Sequence, residues 1–108
     1  MKRIFIRPKA SSDLDEQALF IAKDNVEAAY RLYKACEQTL NTLAKMPQMG
    51  QKYATGNDQL KGVRFFPIAD FRKHLIFYIP TKEKIEVVRI LYGTRNVNRI
   101  LQGEASQP

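Results

Sequence analysis

At 108 residues, with 44% hydrophobic and 27% charged positions, the chain suits a single domain that buries its own core, and no apolar run approaches the ~20 residues of a membrane-spanning helix. Cys36 and His74 are the only cysteine and the only histidine, which excludes an internal disulfide and argues against a metal site built from the usual nitrogen and sulfur ligands. The net charge of +7 points to an anionic partner rather than to any fold.

The opening MKRIFIRPKASSD is basic but lacks the apolar core of a signal peptide, so the expected location is the cytoplasm. Lys2 to Arg7 reads as a strand ended by Pro8. Ser12 is a candidate helix cap, with Asp15 completing a weak capping box and Leu14, Ala18, Ile21 and Ala22 forming the buried stripe. Asp24 or Asn25 restarts the chain into a second helix whose stripe is Val26, Ala29, Tyr30, Tyr33, Cys36, Leu40, Leu43 and Ala44, closing at Met46 and Pro47. Cys36 on that stripe reads as a buried, inert thiol. The two helices, joined by a short link, make a helical hairpin.

Residues 47–60, PQMGQKYATGNDQL, combine turn and polar residues without a period and read as a surface loop. Lys61 to Pro67 is extended again, and Ile68 to Asp70 turns the chain into a long strand. In that strand Phe71, Leu75, Phe77 and Ile79 face the core, while Arg72, His74, Ile76 and Tyr78 form a half-polar face. Thr81 to Lys84 is a tight hairpin connection leading to Ile85 to Tyr92, so the pair is antiparallel. Arg89 lies in register with Ile85, Val87 and Leu91 and therefore needs an anion or a sheet edge.

The order is β-α-α-β-β-β, which argues for an α+β fold with the N-terminal helical hairpin on one face of a small, twisted, mainly antiparallel sheet and the other face partly open. Residues 1–101 form the domain, and 102–108 read as a flexible tail. Residues 61–99 hold nine Lys/Arg against Asp70, Glu83 and Glu86, whereas residues 1–60 hold nine against seven acids. One electropositive surface is expected from the sheet and the C-terminal segment, suited to nucleic acid, an acidic protein, or both. The chain has no glycine-rich phosphate loop, no GxSxG elbow and no paired carboxylates on an expected concave face. A dyad of Cys36 and His74 is formally available, but the cysteine belongs to the core stripe of its helix.

From Ile4 to about Leu101 the chain resembles the RelE/ParE superfamily of bacterial type II toxins, and the ParE branch in particular. The resembling residues are Pro8, Ala10, Asp13 and Leu14, then Leu43, Ala44, Pro47 and Gly50, then Gly62, Val63 and Arg64, and finally FRKHLIFY at Phe71 to Tyr78 and IEVVRILYGTRN at Ile85 to Asn96. The signal is the order of these pieces, since each alone is short and degenerate. The resemblance implies a toxin-antitoxin system: an antitoxin whose acidic C-terminal segment wraps the toxin in a hetero-oligomer, and toxicity released when that antitoxin is degraded. It implies no cofactor.

Within the superfamily, RelE-like members cut ribosome-bound mRNA and characterised ParE-like members poison DNA gyrase. The ribonuclease reaction needs a proton acceptor, a proton donor and cations around the phosphate. By alignment Arg95 matches the arginine after the last strand and Arg64 a basic position on the second strand. Leu75 stands where the third strand presents an arginine, and Leu101 where a C-terminal tyrosine is expected. A ribonuclease would therefore rest on Arg64, His74, Tyr92 and Arg95. The favoured expectation is a non-enzymatic, ParE-like inhibitor of DNA gyrase that blocks replication. Arg64, Arg72, Arg89, Tyr92, Arg95 and Arg99 are its candidate contacts with target or antitoxin, with an internal ion pair as the other role open to Arg89. Many ParE-like chains carry histidine where Tyr92 stands and an acid where Asn96 stands. A non-toxic basic binding module is the third reading.

Overall fold

In the computed structural model, which describes residues 1–104, strand β1 (Arg3–Ile6) runs directly into helix α1 (Pro8–Ala22). The helix begins four residues before the expected Ser12 cap. Proline occupies its first turn and Arg7 is the N-cap without a side-chain cap. The ring fixes a helical φ and removes an N–H that has no partner in a first turn, so Pro8 initiates the helix as well as ending the strand. The Arg7 N–H is held by Val87 O at 3.0 Å, which sets where the chain leaves the sheet.

Helix α2 (Val26–Lys45) starts from Asn25, whose Oδ1 accepts the Ala28 N–H at 3.0 Å, satisfying one of the orphan donors of the first turn. Its buried side is Ala29, Leu32, Ala35, Cys36, Thr39, Leu40, Leu43 and Ala44. Val26, Tyr30 and Tyr33, expected on that side, are exposed instead. Packing selects the face with Leu32 and the alanines, where small side chains permit close approach, and the tyrosine hydroxyls keep polar surroundings. The Tyr33 hydroxyl donates to Asp15 Oδ1 at 2.6 Å, and this bond to a carboxylate pushes its pKa up to about 12. Burial pushes the Cys36 thiol up to about 11, consistent with an inert core residue.

Four further strands follow: β2 (Gln51–Lys52), β3 (Arg64–Ile68), β4 (Phe71–Pro80) and β5 (Lys84–Tyr92); helix α3 (Val97–Gln102) comes after them. The sheet order is β1-β5-β4-β3-β2; β1 pairs with β5 in parallel and every other pairing is antiparallel. The fold is thus α+β, with the helical hairpin preceding the main run of strands. The two-residue β2 and the helix α3 were not expected from the sequence.

Both sheet faces are covered. On the helical side Ile76, Tyr78, Ile85, Val87 and Ile90 pack with Ala10, Ala18, Leu32, Cys36, Leu40 and Leu43. On the other side Phe77, Val88 and Leu91 pack with Leu60, Val63, Val97 and Leu101, so the half-polar face of Ile76 and Tyr78, expected to be partly open, is the one the helices cover, and the face of Leu75, Phe77 and Ile79 is closed by the loop after β2 and by α3. Tyr53 stands edge-on to Phe65 and Phe77 at 5.9 and 5.6 Å between ring centroids. Asn57 fastens the loop to the C-terminal segment, its Nδ2 donating to Leu101 O and Glu104 O at 2.9 and 2.8 Å.

The β4–β5 register shifts by one between Phe77 and Tyr78, so that Arg89 pairs with Phe77 and Val87 with Tyr78. Val88 is the extra residue of a β-bulge. Alternation changes phase there, which is why Val87 and Ile90, three residues apart, share one core while Val88 and Leu91 share the other. The segment read as a tail divides. Gln102 ends α3 and Glu104 is buried, while residues 105–108 lie outside the described residues.

Candidate functional site

The six candidate residues separate into two groups, those held by internal partners and those presented outward. Arg89, at the bulge, meets Asp13 of α1 through two parallel bonds, Nε to Oδ2 at 2.7 Å and Nη2 to Oδ1 at 2.8 Å. Its Nη1 also donates to Glu104 Oε2 at 2.9 Å. The hydrogen bonds to Asp13 raise the Arg89 pKa further above its ordinary value. Asp13 Oδ2 accepts the Ile90 N–H at 3.0 Å as well, so the carboxylate ties α1 to the strand. Arg7 Nε binds Glu86 Oε2 at 2.7 Å, and Lys9 Nζ lies 3.8 Å from Glu104 Oε2. Of the two roles open to Arg89, this is the structural one: fork-shaped, charge-assisted and largely shielded from water.

Arg64 is also occupied, donating from Nη1 to Gly50 O at 2.6 Å and to Gln48 O at 3.1 Å. It closes the turn after α2 against β3. The same turn receives Tyr78, whose hydroxyl donates to Pro47 O at 2.8 Å and accepts the Gly50 N–H at 2.9 Å.

Arg72, Arg95 and Arg99 are exposed and carry no side-chain hydrogen bond or ion pair among the described residues. Arg95 precedes Asn96, which adopts a left-handed backbone at φ 64° before α3 begins. Arg99 lies on α3 itself. These three guanidinium groups are available to a partner.

His74 and Tyr92 face each other across β4 and β5, with ring centroids 4.8 Å apart and edge-to-face. Gln17 of α1 fixes the imidazole: its Nε2 donates to Ile90 O at 2.9 Å, which leaves Oε1 to accept from His74 Nδ1 at 2.7 Å. In the neutral ring Nδ1 is therefore the protonated nitrogen and Nε2 an acceptor. Burial holds the imidazole pKa below its ordinary 6.5. A hollow of about 570 Å³ opens beside these rings, lined by Glu16, Gln17, Phe20, Ile21, His74 and Tyr92. Arg64 and Arg95, which a ribonuclease would share with His74 and Tyr92, are not in its lining. The sequence singled out His74 and Tyr92 but not Gln17, Glu16 or Phe20, whose helix is remote in sequence and carries no motif there. Among the described residues no group of three His, Cys, Asp or Glu side chains converges as a metal site, and no helix is long and apolar enough to cross a membrane.

The family model for the ParE toxin of the type II toxin-antitoxin system parDE matches residues 4–97. The chain belongs to the ParE toxin family. Its fold is similar to that of a solved chain of the chromosomal ParDE toxin-antitoxin system from P. aeruginosa, with a TM-score of 0.66 at 17% identity, covering 87% of this chain and 98% of the other. No curated protein matches the chain. Membership of the ParE family makes this a type II toxin, and the extent of the match runs from β1 through the sheet to the first residue of α3.

Proposed function

We propose that this ParE-family toxin acts in the cytoplasm by binding DNA gyrase and blocking replication, without breaking a covalent bond itself, and that a cognate antitoxin neutralises it through an acidic segment. The observation that carries the non-catalytic part is the separation of charge from proton-transfer groups. Stabilising a pentacovalent phosphate requires several cations around the reacting atom. The hollow beside His74 and Tyr92 is lined by apolar groups, an amide and the Glu16 carboxylate, which repels a phosphate. The arginines Arg64 and Arg89 spend their donors on internal carbonyls and carboxylates. Family membership supports the antitoxin, and the similar ParDE chain comes from a system of that type.

The contact surface under this reading consists of Arg72, Arg95 and Arg99 with Tyr92, while Arg64 and Arg89 build the scaffold that presents them. Exposed guanidinium groups on rigid elements suit carboxylate-rich protein surfaces and attract them at long range. The test is a comparison on the purified free protein: gyrase supercoiling and DNA-cleavage assays against mapping of mRNA ends on translating ribosomes. Inhibited gyrase with intact message is the expected result. Cut message with untouched gyrase would establish the RelE-like reading instead.

A further inference from the structure

The hollow between α1 and the ends of β4 and β5 has a polar chemistry rich in acceptors, with the Tyr92 hydroxyl able both to donate and to accept. His74 is 7% exposed, yet its Nε2 has no partner among the described residues, while Nδ1 is committed to Gln17. Among the described residues no side-chain nitrogen is both enclosed and unbonded, so Nε2 reaches the opening. Gln17 has spent both ends of its amide, on His74 and on Ile90. The remaining charged group in the lining is the exposed carboxylate of Glu16. The walls include Phe20 and Tyr92, which are 71% and 59% exposed.

We infer that this hollow is a binding site for the guanidinium group of an arginine on a polypeptide partner. An entering group meets two acceptors, His74 Nε2 and the exposed Glu16 carboxylate, neither of which has a side-chain partner among the described residues. It must also rest against aromatic rings. A guanidinium meets these demands together: five N–H donors in a plane, a permanent positive charge opposite Glu16, and a flat surface that stacks on tyrosine and phenylalanine. An indole offers one donor to two acceptors, and an anion meets repulsion from Glu16 with only the Tyr92 hydroxyl to donate to it. The Phe20 ring has the Lys23 ammonium 5.7 Å from its centroid, an exposed charge at the rim whose repulsion of a second cation is screened by water and salt. Arg72 lies two residues from His74 on the same strand, but it is exposed to solvent, where water and salt screen its repulsion. The inference stands independently of gyrase, since it rests on the hollow alone.

His74 is the chain's only histidine, so its imidazole signals in a ¹H–¹⁵N spectrum are identified without assignment. The probe is N-acetyl-arginine amide, titrated into the whole protein beside its neutral isostere N-acetyl-citrulline amide and beside N-acetyl-tryptophan amide. Saturable movement of the His74 Nε2 signal with the arginine probe is expected, with little or none from citrulline. The substitution Glu16→Gln, at an exposed helix position, should weaken the arginine response about tenfold, the loss of one charge-assisted bond. An unchanged backbone amide spectrum confirms that the variant is folded. Equal responses to arginine and citrulline, a stronger response to tryptophan, or an Nε2 signal unmoved by arginine each overturns the assignment.

Discussion

Arg89 balances two carboxylates at once, with Asp13 and Glu104 side chains only 13% and 6% exposed. Removing a charge from such a cluster costs more than the bonds themselves, because the partners remain buried and uncompensated. Arg89→Ala should therefore lower unfolding stability by about 3–5 kcal/mol, measured by chemical denaturation. Arg95→Ala, at an exposed position without a partner, should change it by no more than about 0.5 kcal/mol. Equal effects at the two positions would refute the division into scaffold and surface arginines. His74 gives a different signature. Its folded pKa is depressed by burial, so below the unfolded value of about 6.5 the unfolded chain binds more protons than the native one. Stability contributed by the neutral ring is complete above that value and is lost as pH falls toward the folded pKa, with a slope of up to about 1.4 kcal/mol per pH unit. Denaturation midpoints should fall between pH 7 and 5.5, and His74→Gln should remove that part of the slope. The need of Arg89 for an anion was legible from its place in an apolar strand. Which anions answer it was not, since no spacing in the sequence links residue 89 to residue 13 or to residue 104.

At the scale of elements, the turn between α2 and β2 depends on a close approach of backbone to ring. A Cβ added at Gly50 would collide with the Tyr78 hydroxyl and lie 2.9 Å from Phe65 O, and the backbone atoms on that side have nowhere to move within a paired sheet. Gly50→Ala should cost about 1–3 kcal/mol through overpacking. Tyr78→Phe should cost about 1–3 kcal/mol by leaving the Gly50 N–H unpaired. Because both changes act on the same contact, the double variant should lose less than the sum of the two, and simple additivity in a double-mutant cycle would disprove the coupling. The long helices and the β4–β5 hairpin could be read from the sequence because their period persists for several turns or pleats. The rest could not. A two-residue strand carries no period, and α3 depends on Val97 and Leu101 finding Leu60 and Val63 across the sheet. In α2 the apolar positions wrap beyond one face, so pattern alone did not decide between Leu32 and Tyr30; packing did. The bulge at Val88 likewise shifts alternation within a strand whose two flanking charges, Glu86 and Arg89, are both held in internal ion pairs, so neither marks a solvent-facing side.

The whole molecule combines an interior where charges are matched with an exterior where they are not. Asp13, Glu86 and Glu104 are consumed by Arg7 and Arg89, so three of the eleven acids are drawn into internal ion pairs while the other eight stay exposed. Among the described residues, Arg72 on β4, Arg95 after β5 and Arg99 on α3 have no side-chain partner. Attraction of an acidic partner to such a surface acts mainly on encounter and weakens with salt. Replacing all three by glutamate changes the net charge from +7 to about +1 by removing three positive charges and adding three negative ones, as formal counting requires. Folding should survive, because none of the three side chains makes an internal bond that is lost. Under the proposed function the variant should bind gyrase at least tenfold more weakly, as for loss of about 1.4 kcal/mol or more. It should also fail to arrest growth when expressed alone, with an unchanged denaturation midpoint. The comparison is informative in both directions. A folded triple variant that still arrests growth would move the target-binding surface elsewhere on the toxin, whereas loss of arrest with retained binding of an acidic antitoxin would show that the two partners rely on different parts of the same basic face.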